Sequence, residues 1–206
     1  MHLSEGLLKP EFLLVGAVVS AFLVIYAFKT LKDEDIPKTA VLSALFFLGS
    51  FVHIPIGPVS IHLILGGIVG ALLGFQAFIA IFVALFLQGI LFGFGGLTTL
   101  GVNLFNLATP TLIAYYLFQA PIHALWQKNL YWFLIGFIPV CLSALLLSLT
   151  LALNGEMFIS AAKIALMAHI PVMIIEGIIT LFALRFIEKV SPSLLKKKKD
   201  VSHIAD

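Results

Sequence analysis

Charge is nearly missing from this chain. Only 11% of its 206 residues are Asp, Glu, Lys or Arg, and from Thr39 to Gln127 there is none. Soluble domains carry about 25% charged residues, so a soluble fold is excluded. Cysteine is scarce too. The single Cys141 lies in an apolar run, cannot form an internal disulfide, and reads as a small core residue. No Gly-Lys pair occurs anywhere, so the phosphate-cradling loop G-x-x-x-x-G-K-[ST] is absent, and ATP hydrolysis by that route with it. A cleavable signal peptide is not expected either, because Glu5 and Glu11 stand where its positive charge would be.

What remains is 61% hydrophobic, with a mean hydropathy of +1.15. Segments that cross a bilayer must satisfy their own backbone hydrogen bonds, as helices or closed barrels. Long unbroken apolar runs, rather than two-residue alternation, select helices. The runs predict seven: Glu11–Phe28, Thr39–Val52, one starting near Ser60, Ala77–Phe92, Val102–Phe118, Leu130–Leu153 and Ala161–Ile187. The expected fold is an all-α integral membrane protein of about seven transmembrane helices. Residues 1–190 form one helical domain and 191–206 a basic cytoplasmic tail.

An odd number of crossings puts the two termini on opposite sides. With the amino terminus outside, the inner loops hold Lys29, Lys32, Lys38, Lys128, Arg185, Lys189 and the run Lys196 to Lys199. Only Lys9 and Lys163 fall outside. Basic residues favour the cytoplasmic side, so this orientation is expected. The lysine run suits anionic lipid headgroups or a plain solvated tail. His2, His53, His62 and His169 then share the outer side, and imidazole suits nickel, copper, zinc and iron.

Met1-His2 forms a compact chelator if the initiator methionine is retained. Its amine, the backbone nitrogen of His2 and the His2 Nδ1 can surround one ion in a plane with a fourth corner open. Such nitrogen sites suit Ni²⁺ or Cu²⁺. The alternative is a histidine on a frayed terminus. His53-Ile-Pro-Ile-Gly-Pro-Val-Ser-Ile-His62 carries two prolines and a glycine and reads as a re-entrant connection. His62 opens the third segment and is the candidate fourth ligand; an interfacial hydrogen bond is its other reading. His53 suits a role behind the ligands or in ion access. On segment seven, His169, Glu176 and Thr180 are spaced seven and four apart and share one helical face. His169 is a candidate for a supporting position. Glu176, costly near the middle of a membrane helix, needs a partner. The stripe also reads as a polar contact that locks two helices. Asn103 and Asn106 share a face beyond the glycine-rich stretch 93–101, which reads as a wall of the metal pocket or as a tight capped turn.

Four motifs in order, MHLSEGLL, HIPIGPVSIHLILGGIVGALLG, LQGILFGFGGLTTLGVN and AHIPVMIIEGIIT, resemble the CbiM/NikM family. These are substrate-specific subunits of energy-coupling factor importers for cobalt and nickel. The resemblance runs from Met1 to about Arg185. It implies a seven-helix membrane protein whose amino terminus tucks into the bundle. It also implies a planar four-nitrogen metal site, which falls here on the Met1 amine, the His2 backbone nitrogen, the His2 imidazole and the His62 imidazole. The implied partners are a membrane coupling subunit, paired ATPase subunits and a small accessory membrane protein. The sequence has Ser4-Glu5 before Gly6, and GPVSIHL where the commonest form has GGTSGHL; the histidine survives both changes.

The expected function is therefore capture of a divalent transition-metal ion, Ni²⁺ or Co²⁺, from outside for an ATP-driven importer. The chain itself is expected to be no enzyme, with no cofactor and no nucleic-acid partner. The alternative is a membrane metalloenzyme with a histidine-ligated zinc, which would want three protein ligands, and no H-E-x-x-H pair is present. A vitamin importer subunit would need a larger aromatic pocket and no role for His2.

Overall fold

The computed structural model describes residues 2–56, 59–121 and 125–195, without the side chains of 53–61 and 122–126. Seven α-helices form among the described residues: α1 Pro10–Thr30, α2 Ile36–Gly49, α3 Gly66–Leu73, α4 Ala77–Phe92, α5 Leu100–Gln119, α6 Leu125–Asn154 and α7 Ile159–Val190. Local chemistry explains several boundaries. Pro10 occupies the first turn of α1, where its missing N–H costs nothing, and Glu11 and Lys29 complement the two ends of the helix dipole. Pro37 does the same for α2. Pro110, Pro139 and Pro171 lie inside α5, α6 and α7, as membrane helices tolerate.

The third segment departs from expectation. It does not begin as a helix near Ser60. Residues 53–56 and 59–62 form an antiparallel hairpin, β1 and β2, with His53 opposite His62 and Pro55 opposite Ser60. Helix α3 starts only at Gly66, after a residue with positive φ, Leu65 at 54°. The prolines account for the difference. Pro55 and Pro58 both oppose continuation of α2 as a helix, and Pro55 sits within the extended hairpin.

Helix α3 has eight residues, too few to cross a bilayer alone. It joins α4 through a 3₁₀ turn at Gly74–Gln76, where Gly74 takes φ +60°. The pair is no single span. Leu65, before α3, packs on Gly49 at the end of α2, and Phe92, the last residue of α4, packs on Phe47 and Phe51 there as well. The chain thus reverses at Gly74. A Cβ on Gly67 would stand 2.6 Å from the Gly136 Cα, so α3 lies directly against α6. The small residue permits this approach.

Outward-facing side chains are apolar. Val18 and Phe22 of α1 and Phe182 and Phe186 of α7 are 61–69% exposed, which only a hydrocarbon surrounding makes favourable. The helices Pro10–Thr30, Gln127–Asn154 and Glu156–Val190 are each long and apolar enough to cross a membrane, as is the length of chain from Gly66 to Phe92.

The two ends of the bundle differ in character. At one, Lys128 pairs with Glu188, Arg185 bonds the Asn129 side chain, and a cavity of about 840 Å³ is lined by Lys32, Glu34, Asp35, Lys38, Tyr115 and Leu194. At the other lie His2, His62, the 93–99 loop and the α6–α7 turn.

Candidate metal centre

The site is built around a terminal segment that is not helical. Residues 2–9 run into the bundle, with Leu3 and Leu8 buried in its core. Two asparagines hold this segment by its main chain. The Asn103 side-chain oxygen accepts the Leu3 N–H at 2.8 Å, and its Nδ2 donates to the Leu3 carbonyl at 3.1 Å and to Thr99 Oγ1 at 3.2 Å. Asn154 repeats the arrangement further along. Its oxygen accepts the Lys9 N–H at 2.8 Å and its Nδ2 donates to the Leu7 carbonyl at 2.6 Å. Between them the Glu5 carboxylate accepts the Thr98 N–H at 3.2 Å. Helices α5 and α6 thus grip a non-helical segment whose own backbone groups would otherwise lack partners.

His2 is the result of that grip. It is buried, and its ring stacks on His62 with centroids 4.6 Å apart and 27° between planes. Phe94 covers it at 6.4 Å. Gly95, at φ +78°, passes so close that a Cβ there would lie 3.3 Å from the His2 Cβ and 2.9 Å from Asn103 Nδ2. Neither ring nitrogen of His2 has a hydrogen-bond partner among the described residues. A buried polar atom without a partner costs about 1–3 kcal/mol, which a ligand would recover. Burial also holds the His2 imidazole well below the usual histidine range. The ring is therefore neutral at physiological pH, the form that binds metal.

His62, also buried, comes from the end of β2. Its Nδ1 lies 2.8 Å from the Leu63 carbonyl. A carbonyl can only accept, so Nδ1 carries a proton, and Nε2 is the ring nitrogen left to meet an ion. Metal-binding histidines commonly donate their other N–H to a carbonyl in this way.

The other candidates fall in different places. His169 and Glu176 are wholly buried on one face of α7 with Thr180, as the spacing predicted. His169 Nδ1 donates to the Ala165 carbonyl of its own helix at 2.5 Å, so its ring is held by α7. Glu176 finds its partners in the main chain, accepting the N–H groups of Ile64 and Leu65. The His53 backbone pairs with that of His62, while its side chain, like Met1, lies outside the described residues. Among the described residues no group of three or more His, Cys, Asp or Glu side chains converges. The sequence reading missed Asn154, whose side-chain amide holds the main chain of a segment up to 147 residues away in sequence. No local pattern marks such contacts.

A bundle of apolar helices with a fastened terminal segment, its His2 stacked on His62 in the interior, has the build of a membrane protein with a buried imidazole pair. The chain belongs to the CbiM family, described as the cobalt uptake substrate-specific transmembrane region, which matches residues 2–194. A Haemophilus influenzae protein whose name concerns metal transport is 38% identical over 98% of this chain and 100% of its own length. The cobalt transport protein CbiM of Carboxydothermus hydrogenoformans is 27% identical over 92% of this chain and 84% of its own. The crystal structure of a truncated transition metal transporter superposes with a TM-score of 0.79 at 26% identity, covering 92% of this chain and 99% of that one. The protein is thus a multi-pass prokaryotic cell-membrane protein of a metal transport family.

Proposed function

We propose that this chain is the substrate-capturing subunit of an ATP-driven importer of the energy-coupling factor class, and that its cargo is Ni²⁺ or Co²⁺. One observation carries the reading: His2 and His62 are buried face to face, 4.6 Å between ring centres. Nitrogens about 2 Å from a shared ion, at adjacent corners, bring two imidazole centres about 4–5 Å apart. Two imidazoles are not a complete site. The chelating chemistry of Met1-His2 and the resemblance to the CbiM/NikM family supply the remaining donors, the Met1 amine and the His2 amide. A deprotonated amide in a planar nitrogen set favours Ni²⁺ over rounder coordination spheres.

The rest of the mechanism follows from what the chain has and lacks. The ion enters at the His2 end of the bundle, which faces outside, and the basic end carrying Lys32, Lys38 and Lys128 faces the cytoplasm. Helices form one domain over 1–190, followed by the basic tail. With no nucleotide-binding motif of its own, the chain draws energy from paired ATPase subunits through a membrane coupling subunit, with a small accessory membrane protein alongside. No resident cofactor takes part. A hydrolytic zinc site finds no support, since the Glu176 carboxylate is occupied by main-chain amides.

The test is nickel titration of the full chain with a free amino terminus, alongside His2→Ala and a variant extended by one residue before Met1. Both changes should lower nickel affinity at least a hundredfold and abolish uptake in the assembled importer. Wild-type affinity in either would remove the terminal site.

A further inference from the structure

Glu176 is completely buried near the middle of α7, 14 residues from the end of that helix. A carboxylate there needs a reason. Its two oxygens are directed at one short stretch of main chain. Oε1 accepts the N–H groups of Ile64 and of Leu65, the latter at 2.8 Å, and Oε2 also accepts Leu65 N–H, at 3.0 Å. These are the second and third residues after His62.

That stretch does not hold its shape unaided. Leu65, at φ 54°, is the one non-glycine residue with positive φ among the described residues. A branched-chain apolar residue keeps such a conformation only where its surroundings enforce it. On the other side, the Leu63 N–H donates to the Val52 carbonyl at 3.2 Å, and the hairpin pairs His62 with His53. His62 is thus suspended between a hairpin and a carboxylate. Its own Nδ1 is tied to the carbonyl of Leu63, within the same stretch.

We infer that Glu176 is a positioning residue for metal capture: by holding the main chain at Ile64 and Leu65, its carboxylate sets where the His62 imidazole meets the ion. This rests on the proposed role of His62 as a ligand. It also gives α7 a function. From Glu176 to Val190 the helix contains no proline, and its far end carries Arg185, Glu188 and Lys189 at the basic end of the bundle. A displacement of α7 there reaches the His62 stretch through the Glu176 side chain, besides the direct packing of α7 on β2 and α3.

The experiment compares nickel binding by the full chain with a free amino terminus in four forms: wild type, His62→Ala, Glu176→Gln and the double variant. Glu176→Gln should lower nickel affinity roughly 10–100-fold, as loss of a ligand-orienting partner does. It should also move the visible circular dichroism of bound nickel toward that of His62→Ala. The double variant should bind no more weakly than His62→Ala alone, because Glu176 acts through His62. A purely structural role predicts additive losses instead, and additivity overturns the inference. So does wild-type affinity with an unchanged spectrum in Glu176→Gln. If that loss is absent while His62→Ala still loses affinity, only the positioning role fails; wild-type binding by His62→Ala removes the site reading and this inference together. Hydrogen exchange of the unmodified protein gives a check that needs no variant. The amides of Ile64 and Leu65 should exchange more slowly than those of the hairpin, and fast exchange at both overturns the inference.

Discussion

Gly95 shows how little room surrounds His2. At φ +78° it occupies a region that L side chains avoid, and a Cβ would crowd both Asn103 Nδ2 and the His2 Cβ. Gly95→Ala should therefore leave the helices intact while displacing the terminal segment, with nickel affinity reduced about tenfold or more by titration, an effect of at least ~1.4 kcal/mol. Unchanged affinity would show that the loop can yield without disturbing His2. Individual residues were legible in the sequence to different degrees. His2 and His62 stood out because a membrane interior holds few nitrogen donors. Glu176 stood out because a buried carboxylate is costly, but its partners did not: they are two amides, and an amide has no signature in a sequence. Asn154 read as part of a turn, and only its position opposite Leu7 and Lys9 reveals its use.

At the scale of elements, the terminal segment is the unusual one. It is a non-helical stretch, turning at residues 5–8, in a helical protein, secured at Leu3 by Asn103 and at Leu7 and Lys9 by Asn154. Each asparagine serves one donor and one acceptor of the main chain. Replacing Asn103 by Ala leaves both groups of buried Leu3 unpaired and should cost about 1–3 kcal/mol. Asn154→Ala should cost less, since its contacts are only partly buried. Hydrogen exchange along residues 3–9 checks this: Asn103→Ala should speed exchange near Leu3 and Asn154→Ala near Lys9, and uniform protection in both variants would deny the clamps their role. Helix runs were readable from apolar length alone, and α4 begins and ends at the residues expected. The third segment was not. A run of isoleucine, valine and leucine has the same composition whether it pairs as a hairpin or coils as a helix, and the choice was made by Pro55, Pro58 and the grip on Leu65.

For the whole molecule, charge decides orientation. The described basic residues collect at the end lined by Lys32, Lys38 and Lys128, leaving the histidine end nearly free of them. In intact cells, Lys163→Cys should react with a membrane-impermeant maleimide, whereas Lys189→Cys should react only after the cells are opened. The native Cys141, half-buried within α6, serves as the background control. Reversed labelling would overturn the proposed orientation and place the histidines on the wrong side for capture from outside. Lipid-facing surfaces are apolar, and the interior sets its few buried polar groups, His2, His62, Asn103, His169 and Glu176 among them, within a core of Leu, Ile, Phe and Ala side chains.

The paired asparagine clamps carry no ionisable group. Metal bound by nitrogens is lost in acid, because protons compete for the same lone pairs. The amide bonds that hold Leu3, Leu7 and Lys9 do not compete with protons at all. On the proposed site, mild acid should therefore empty the centre while its frame stays threaded, and a return to neutrality should refill it, which repeated nickel titration after acid stripping checks. A protein built this way can be stripped and reloaded with one metal after another, so that nickel, cobalt and copper can be compared on the same sample.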